Sequence, residues 1–209
     1  MKVAVLSSNG KVGSLVVDEF LSRGHEVTGF SRSENKSNVK NFIKKDIFDL
    51  TKEDLAGYDV VVDAFGVWTE EEFPLFTKVT NHLSEILAGS SVKLLIVGGA
   101  GSLYVDSDHK VQLLDTPDFP AEFYPLAKAM TDALAVQRTK NDVDWVFISP
   151  AADFVEDGEK TGQYIIAGEV FTVNEKGESI ISYADYAAAL VDIAESGKYS
   201  KERISLLGK

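Results

Sequence analysis

The sequence predicts an α/β protein: one doubly wound parallel sheet with helices on both faces, in a single domain over residues 1–209. Three observations carry this. Residues 2–32 read as strand, glycine turn, helix and strand. Short β-branched runs then alternate with helical stripes along the chain, as expected of a parallel sheet, because the crossover between parallel strands is usually made by a helix. No repeat, linker or low-complexity tract interrupts the alternation, and 209 residues suffice for one full core but are short for two.

Each element has its own signal. Val3, Val5 and Leu6 make a first apolar strand, which runs into Ser7-Ser8-Asn9-Gly10-Lys11-Val12-Gly13. Val12, Val16 and Phe20, with Leu21 beside them, form the stripe of a first helix, ended by Gly24, and Val27–Phe30 begins a second strand. Phe42–Lys45 reads as strand three, followed by Asp46-Ile47-Phe48-Asp49. Asp59–Ala64 is a buried fourth strand ending at Phe65-Gly66. Glu70-Glu71-Glu72 reads as the solvated N-terminal face of a helix, with the helical run at Pro74–Ala88. Val92–Val97 is strand five. A helical run through Met130, Leu134 and Val136 leads to strand six, Asp144–Ser149, stopped by Pro150. Tyr183–Glu195 is a late helix with Ser182 as its N-cap, and Ile204–Leu207 forms a final strand.

A strand that turns on glycines into a helix is a device for holding a pyrophosphate. The helix N-terminus offers unpaired N–H groups and a positive dipole end, and glycines let phosphates approach the backbone. The spacing Ser7, Gly10, Gly13 fits G-x-x-G-x-x-G with serine in the first place. That place favours glycine, and Asn9, which enters positive φ more easily than most residues, is expected to compensate. This is a Rossmann-like arrangement. Such sites select their nucleotide at the second strand, where a carboxylate binds the ribose 2′-hydroxyl of NAD and a cation accommodates the 2′-phosphate of NADP. Here the strand ends Phe30-Ser31-Arg32-Ser33, with Lys36 nearby and Glu34 between. The tip carries an arginine, whose planar fork suits phosphate. The expected cofactor is therefore NADPH in preference to NADH. Its candidate contacts are Ser7, Asn9, Gly10, Lys11 and Val12 at the turn, Ser31 and Arg32 at the tip, and Ala64, Phe65, Gly66 and Pro150 along the carboxyl edge of the sheet.

Composition limits the alternatives. With 33 acidic and 21 basic side chains the net charge is −12, which repels nucleic acid phosphates. The absence of cysteine excludes disulfides and thiolate chemistry, and fits a cytoplasmic setting. His25, His82 and His109 are scattered, so no metal site is expected. No stretch approaches the roughly 20 apolar residues of a membrane span, and because Met1-Lys2 leads directly into strand one, no signal peptide is expected.

The glycine turn and its flanking elements resemble the extended and atypical short-chain dehydrogenase/reductases of the NmrA-like branch. Gly98-Gly99-Ala100-Gly101-Ser102-Leu103, Thr116-Pro117-Asp118-Phe119-Pro120 and Ser149-Pro150-Ala151-Ala152-Asp153-Phe154 are similar to a narrower group of NAD(P)H-flavin reductases. The resemblance implies that Asp46 and Ile47 border the adenine, against a plain strand-end turn on the residues alone. Tyr124-Pro125-Leu126-Ala127-Lys128 supplies a Tyr-x-x-x-Lys. On a helix these positions share a face, and a lysine there favours phenolate and can hold the nicotinamide ribose. In short-chain reductases such a tyrosine and lysine act with a serine, here Ser102, as proton donor, pKa-setter and substrate anchor. Pro125, however, biases Tyr124 away from helical geometry and toward an N-cap role.

The substrate side is expected in the loops of residues 66–76, 98–124 and 150–180. Trp68 is the candidate for stacking a planar acceptor, while Phe73 and Phe76 close a small core. The reading is an NADPH-dependent reductase passing hydride to a flavin or similar conjugated acceptor. The alternative is a non-catalytic NADP(H)-binding redox sensor. A sugar-nucleotide epimerase would need a larger substrate domain than the length allows. The expected partner is a small-molecule acceptor, with no nucleic acid and no membrane; a homodimer is compatible with this reading.

Overall fold

A computed structural model describes residues 1–209. Ten strands and four α-helices follow one another as β1 (Lys2–Leu6), α1 (Lys11–Ser22), β2 (Glu26–Ser31), β3 (Asn41–Lys44), β4 (Val60–Asp63), α2 (Leu75–Leu87), β5 (Lys93–Val97), α3 (Tyr124–Gln137), β6 (Asp144–Ser149), β7 (Asp153–Val155), β8 (Tyr164–Ala167), β9 (Ile180–Ser182), α4 (Tyr183–Ser196) and β10 (Glu202–Gly208). Eight strands form one sheet in the order β3-β2-β1-β4-β5-β6-β10-β8. All its neighbours are parallel except β10 and β8. β7 and β9 form a separate parallel pair. The strand order reverses at β1, which lies between β2 and β4, and the crevice beyond such a switch point is where doubly wound sheets hold ligands.

Alternation along β1 explains the two layers. Val3 and Val5 enter a core with Val16 and Phe20 of α1 and Leu190 and Val191 of α4. Ala4 and Leu6 face the other way, into a core with Leu83 of α2 and Leu134 of α3. Because both faces are covered, the central strands read as unbroken apolar runs rather than alternating ones. The start of α4 is as expected: Ser182 Oγ accepts the Asp185 N–H at 3.0 Å.

Three features depart from the sequence expectation. β7, β8 and β9 are three or four residues long and only partly buried, so they carry no apolar run that would mark them. Glu70–Glu72 forms a separate 3-10 turn, and α2 starts only at Leu75. Tyr124 is helical (φ −57°, ψ −47°), not an N-cap outside the helix. Pro125 in the first turn lacks an N–H that would have no intrahelical partner there, which offsets its bias on the preceding residue. No helix is long and apolar enough to cross a membrane, and no group of three or more His, Cys, Asp or Glu side chains is placed to hold a metal ion.

Candidate functional site

A cleft of about 300 Å³ opens at the carboxyl edge of β1, β2 and β4. It brings together Ser7, Asn9 and Gly10 of the turn with Ser31 and Arg32 of the β2 tip. Asp46 and Ile47, beyond β3, and Phe65 and Gly66, beyond β4, complete the predicted residues that line it.

The turn is shaped by the carbonyl of Ser7. Gly10 N–H donates to it at 2.8 Å, and α1 packs so close that a Cβ on Gly13 would lie 2.4 Å from it. Glycine at 13 is thus fixed by helix–strand contact. Ser7 itself takes the left-handed backbone (φ 58°). The residue expected to supply positive φ, Asn9, does not; the strain sits where the motif has its first glycine. Gly10 is the N-cap of α1, with no side chain capping the helix and no acidic residue in its first turn. The first N–H groups of a twelve-residue helix therefore face the cleft end with their dipole uncompensated, an arrangement suited to an anion.

The β2 tip carries the positive charge. Lys44 is paired with Glu34 at 2.6 Å and Lys45 with Asp54 at 2.6 Å. Arg32 and Lys36 enter no ion pair. They are thus two free cations on the rim of a cleft in a chain of net charge −12. Asp46 lines the same cleft and also makes the strand-end turn, its Oδ1 accepting the Phe48 N–H at 3.0 Å.

The remaining predicted contacts lie outside the cleft. Ala64 directly follows β4, its N–H donating to the Leu6 carbonyl at 3.3 Å. Val12 is half-buried against the α1/α4 core. Lys11, the first helical residue, pairs with Glu156, just after β7, and this hydrogen bond holds the Lys11 ammonium above its usual pKa. Pro150 is buried at the end of β6. Asp63, beneath the rim, was not singled out by the sequence. Its Oδ1 accepts the Phe65 N–H at 3.0 Å, and burial pushes its carboxyl up to about 6.

On α3, Tyr124 is exposed and Lys128 stands one turn further on, its Nζ donating to Asp132 Oδ1 and Oδ2 at 2.5 and 2.7 Å. Tyr124, Lys128 and Asp132 thus form one i, i+4, i+8 stripe. Ser102 does not join them. It is buried, and its hydroxyl accepts from Arg203 Nη1 at 3.4 Å while its carbonyl accepts from Nη2 at 3.1 Å. These bonds tie Ser102 to Arg203, not to the Tyr124–Lys128 stripe beside which a substrate anchor is expected. The Arg203 side chain is fully buried and also bonds Glu169 Oε2 at 2.6 Å, which in turn accepts from Arg138 at 2.7 Å. Burial lowers the Arg203 pKa, opposed by Glu169. A lone arginine inside the apolar run of β10 is the one sequence sign of this network. Phe76 is buried and meets Phe65 edge-on at 5.7 Å, as expected of core aromatics, while Trp68 is 76% exposed.

Residues 8–196 match the family described as NAD(P)H-binding. The uncharacterized protein YwnB of Bacillus subtilis is 38% identical over 212 residues, spanning 100% of this chain and 99% of that protein. A crystal structure from Streptococcus pneumoniae, described as a proposed NADH-flavin reductase, is 57% identical with a TM-score of 0.99, covering 100% of each chain. A proposed epimerase from Bacteroides thetaiotaomicron is 31% identical with a TM-score of 0.86, covering 99% of this chain and 96% of that one.

Proposed function

The chain belongs to the NAD(P)H-binding family, and from that premise we propose that it is an NADPH-dependent oxidoreductase passing hydride to a flavin or a similarly conjugated small-molecule acceptor. The observation that carries the cofactor half is the pair of unpaired cations, Arg32 and Lys36, on the same cleft as an uncapped helix start. The residues fit the cofactor. Gly10 has no side chain to fill the phosphate position, and the first N–H groups of α1 would hold the pyrophosphate. Ser31, Arg32 and Lys36 would hold the 2′-phosphate, Asp46 and Ile47 would border the adenine, and Phe65 and Gly66 would flank the path toward the nicotinamide. The bound nicotinamide supplies the hydride.

The acceptor half is supported by the Streptococcus pneumoniae relative, described as a proposed NADH-flavin reductase, and by Trp68, an exposed indole on the loop after β4. A flavin accepts hydride at N5 and draws its other protons from water, so the chain has chiefly to supply proximity and orientation. Lys128 would hold the nicotinamide ribose by exchanging Asp132 for it; Tyr124 would serve only an acceptor that must take a proton from the protein. The test is NADPH oxidation by the purified protein against flavins, quinones and biliverdin, with parallel titration of NADPH and NADH. Turnover with flavin and tighter binding of NADPH are expected. Equal affinities would remove the NADPH preference, and tight binding without turnover would make the protein a nucleotide sensor.

A further inference from the structure

Asn9 makes contacts that the glycine turn does not need. Its Nδ2 donates to Ser33 Oγ at 3.1 Å and to the Glu34 carbonyl at 2.8 Å, its Oδ1 accepts the Lys36 N–H at 2.8 Å, and its own N–H donates to Ser31 Oγ at 3.2 Å. Both side-chain donors and one acceptor position of the amide are thus spent on residues 33–36. The turn is closed separately, by Gly10 N–H on the Ser7 carbonyl at 2.8 Å. Residues 32–36 have no regular structure and are exposed; the Lys44–Glu34 pair and the bonds of Asn35 to Ser37 and Val39 tie the segment to β3 and to itself, whereas Asn9 ties it to the glycine turn.

That segment carries both free cations. Ser31 and Ser33 bracket Arg32 directly, and the Lys36 backbone is itself an Asn9 partner. An arginine fork recognises phosphate only when both of its N–H edges are aimed, and a site that must order its own loop on binding gives up affinity in doing so. We infer that Asn9 is the positioning residue for nucleotide choice: by holding the Arg32–Lys36 segment against the glycine turn, it presets the site for a ribose 2′-phosphate. The inference rests on the NADPH reading above and adds a residue outside the phosphate-binding side chains. It also separates two jobs within one turn, since the backbone of Gly10 and α1 serves the pyrophosphate shared by both nucleotides and the Asn9 side chain serves the group that only one of them has.

The experiment titrates NADPH, NADH, 2′,5′-ADP and 5′-ADP into the full chain and its Asn9→Ala variant by calorimetry, with circular dichroism and thermal melts alongside. In Asn9→Ala, affinity for NADPH and 2′,5′-ADP is expected to fall roughly three- to tenfold, while NADH and 5′-ADP change little. If alanine prevents folding, Asn9→Ser keeps a small polar turn residue that is too short to reach Ser33 and Glu34, and it must show the same selective loss. Parallel loss for all four ligands would overturn the inference, because Asn9 would then act on the pyrophosphate turn. An unchanged NADPH:NADH ratio beside a clear preference in the parent would also overturn it. A parent with no preference would instead overturn the NADPH reading, and the inference with it, an outcome visible before any variant is made.

Discussion

At the scale of single residues, two side chains make opposite demands on the cleft. Arg32 is exposed and unpaired, so its removal should cost the fold little and the nucleotide much. Arg32→Ala is expected to weaken NADPH by about tenfold to a hundredfold, the worth of one charge-assisted contact, and to leave NADH nearly unchanged; comparative titration measures it. Asp63 is buried among apolar side chains with one hydrogen bond, from the Phe65 N–H. Its carboxyl is raised to about 6 in the folded protein, against about 3.9 when unfolded. The folded state therefore binds the proton more readily, so Asp63 costs stability increasingly as the pH rises through this window, and the full cost is present above about pH 6. The difference corresponds to at most about 3 kcal/mol. Asp63→Asn keeps an acceptor for Phe65 and should raise the melting temperature at pH 8, with the gain gone by about pH 4; melts across that range would show it, and a pH-independent gain would contradict it. Legibility at this scale followed distance along the chain. Gly10 and Arg32 stand in a local motif that spacing reveals. The partners of Asn9 lie 22 to 27 residues away, and Ser102 meets Arg203 across 101 positions. No local pattern encodes such meetings.

At the scale of elements, α3 shows both what a motif promises and what geometry adds. Its stripe joins Tyr124, Lys128 and Asp132, and the exposed Lys128–Asp132 pair is of the kind worth only a few tenths of a kcal/mol. So weak a tie leaves the lysine free to change partners. Lys128→Ala is expected to reduce turnover on every acceptor, whereas Tyr124→Phe should matter only where the acceptor takes a proton from the protein, a loss of about a hundredfold to ten-thousandfold with a carbonyl. Assaying both variants on a flavin and on a carbonyl compound separates the two roles. A large Tyr124→Phe loss with flavin would overturn direct transfer, and full activity of Lys128→Ala on all acceptors would make the motif a coincidence. The long strands and helices were legible because burial on both faces writes unbroken apolar runs into the sequence. The start of α3 was not, since the bias imposed by Pro125 on its neighbour is a preference that first-turn geometry overrides. Nor were β7, β8 and β9, which are too short and too exposed to leave a run.

At the scale of the whole molecule, the sheet sets the plan: the strand order reverses at β1, and the cleft opens there beside the start of α1. Topology was readable from the alternation of elements. The antiparallel return of β8 onto β10 was not, and it changes what the two margins of the sheet present to other molecules. At one margin β3 is short and charged, with Lys44 on the strand and Lys40 and Lys45 flanking it. Such lysines discourage a foreign strand from docking. At the other margin β8, equally short, carries no charge: its sequence is YIIA, and Ile166 is 36% exposed. Its outer backbone groups pair with no further strand. The molecule therefore has one guarded flank and one adhesive flank, and self-association on heating or at high concentration should begin along β8. Ile166→Lys is expected to delay the onset of light scattering in heated samples while moving the melting temperature little, as befits a surface change of within about 0.5 kcal/mol. Unaltered scattering would place the adhesive surface elsewhere. Colloidal behaviour in this protein thus traces to which way one four-residue strand runs.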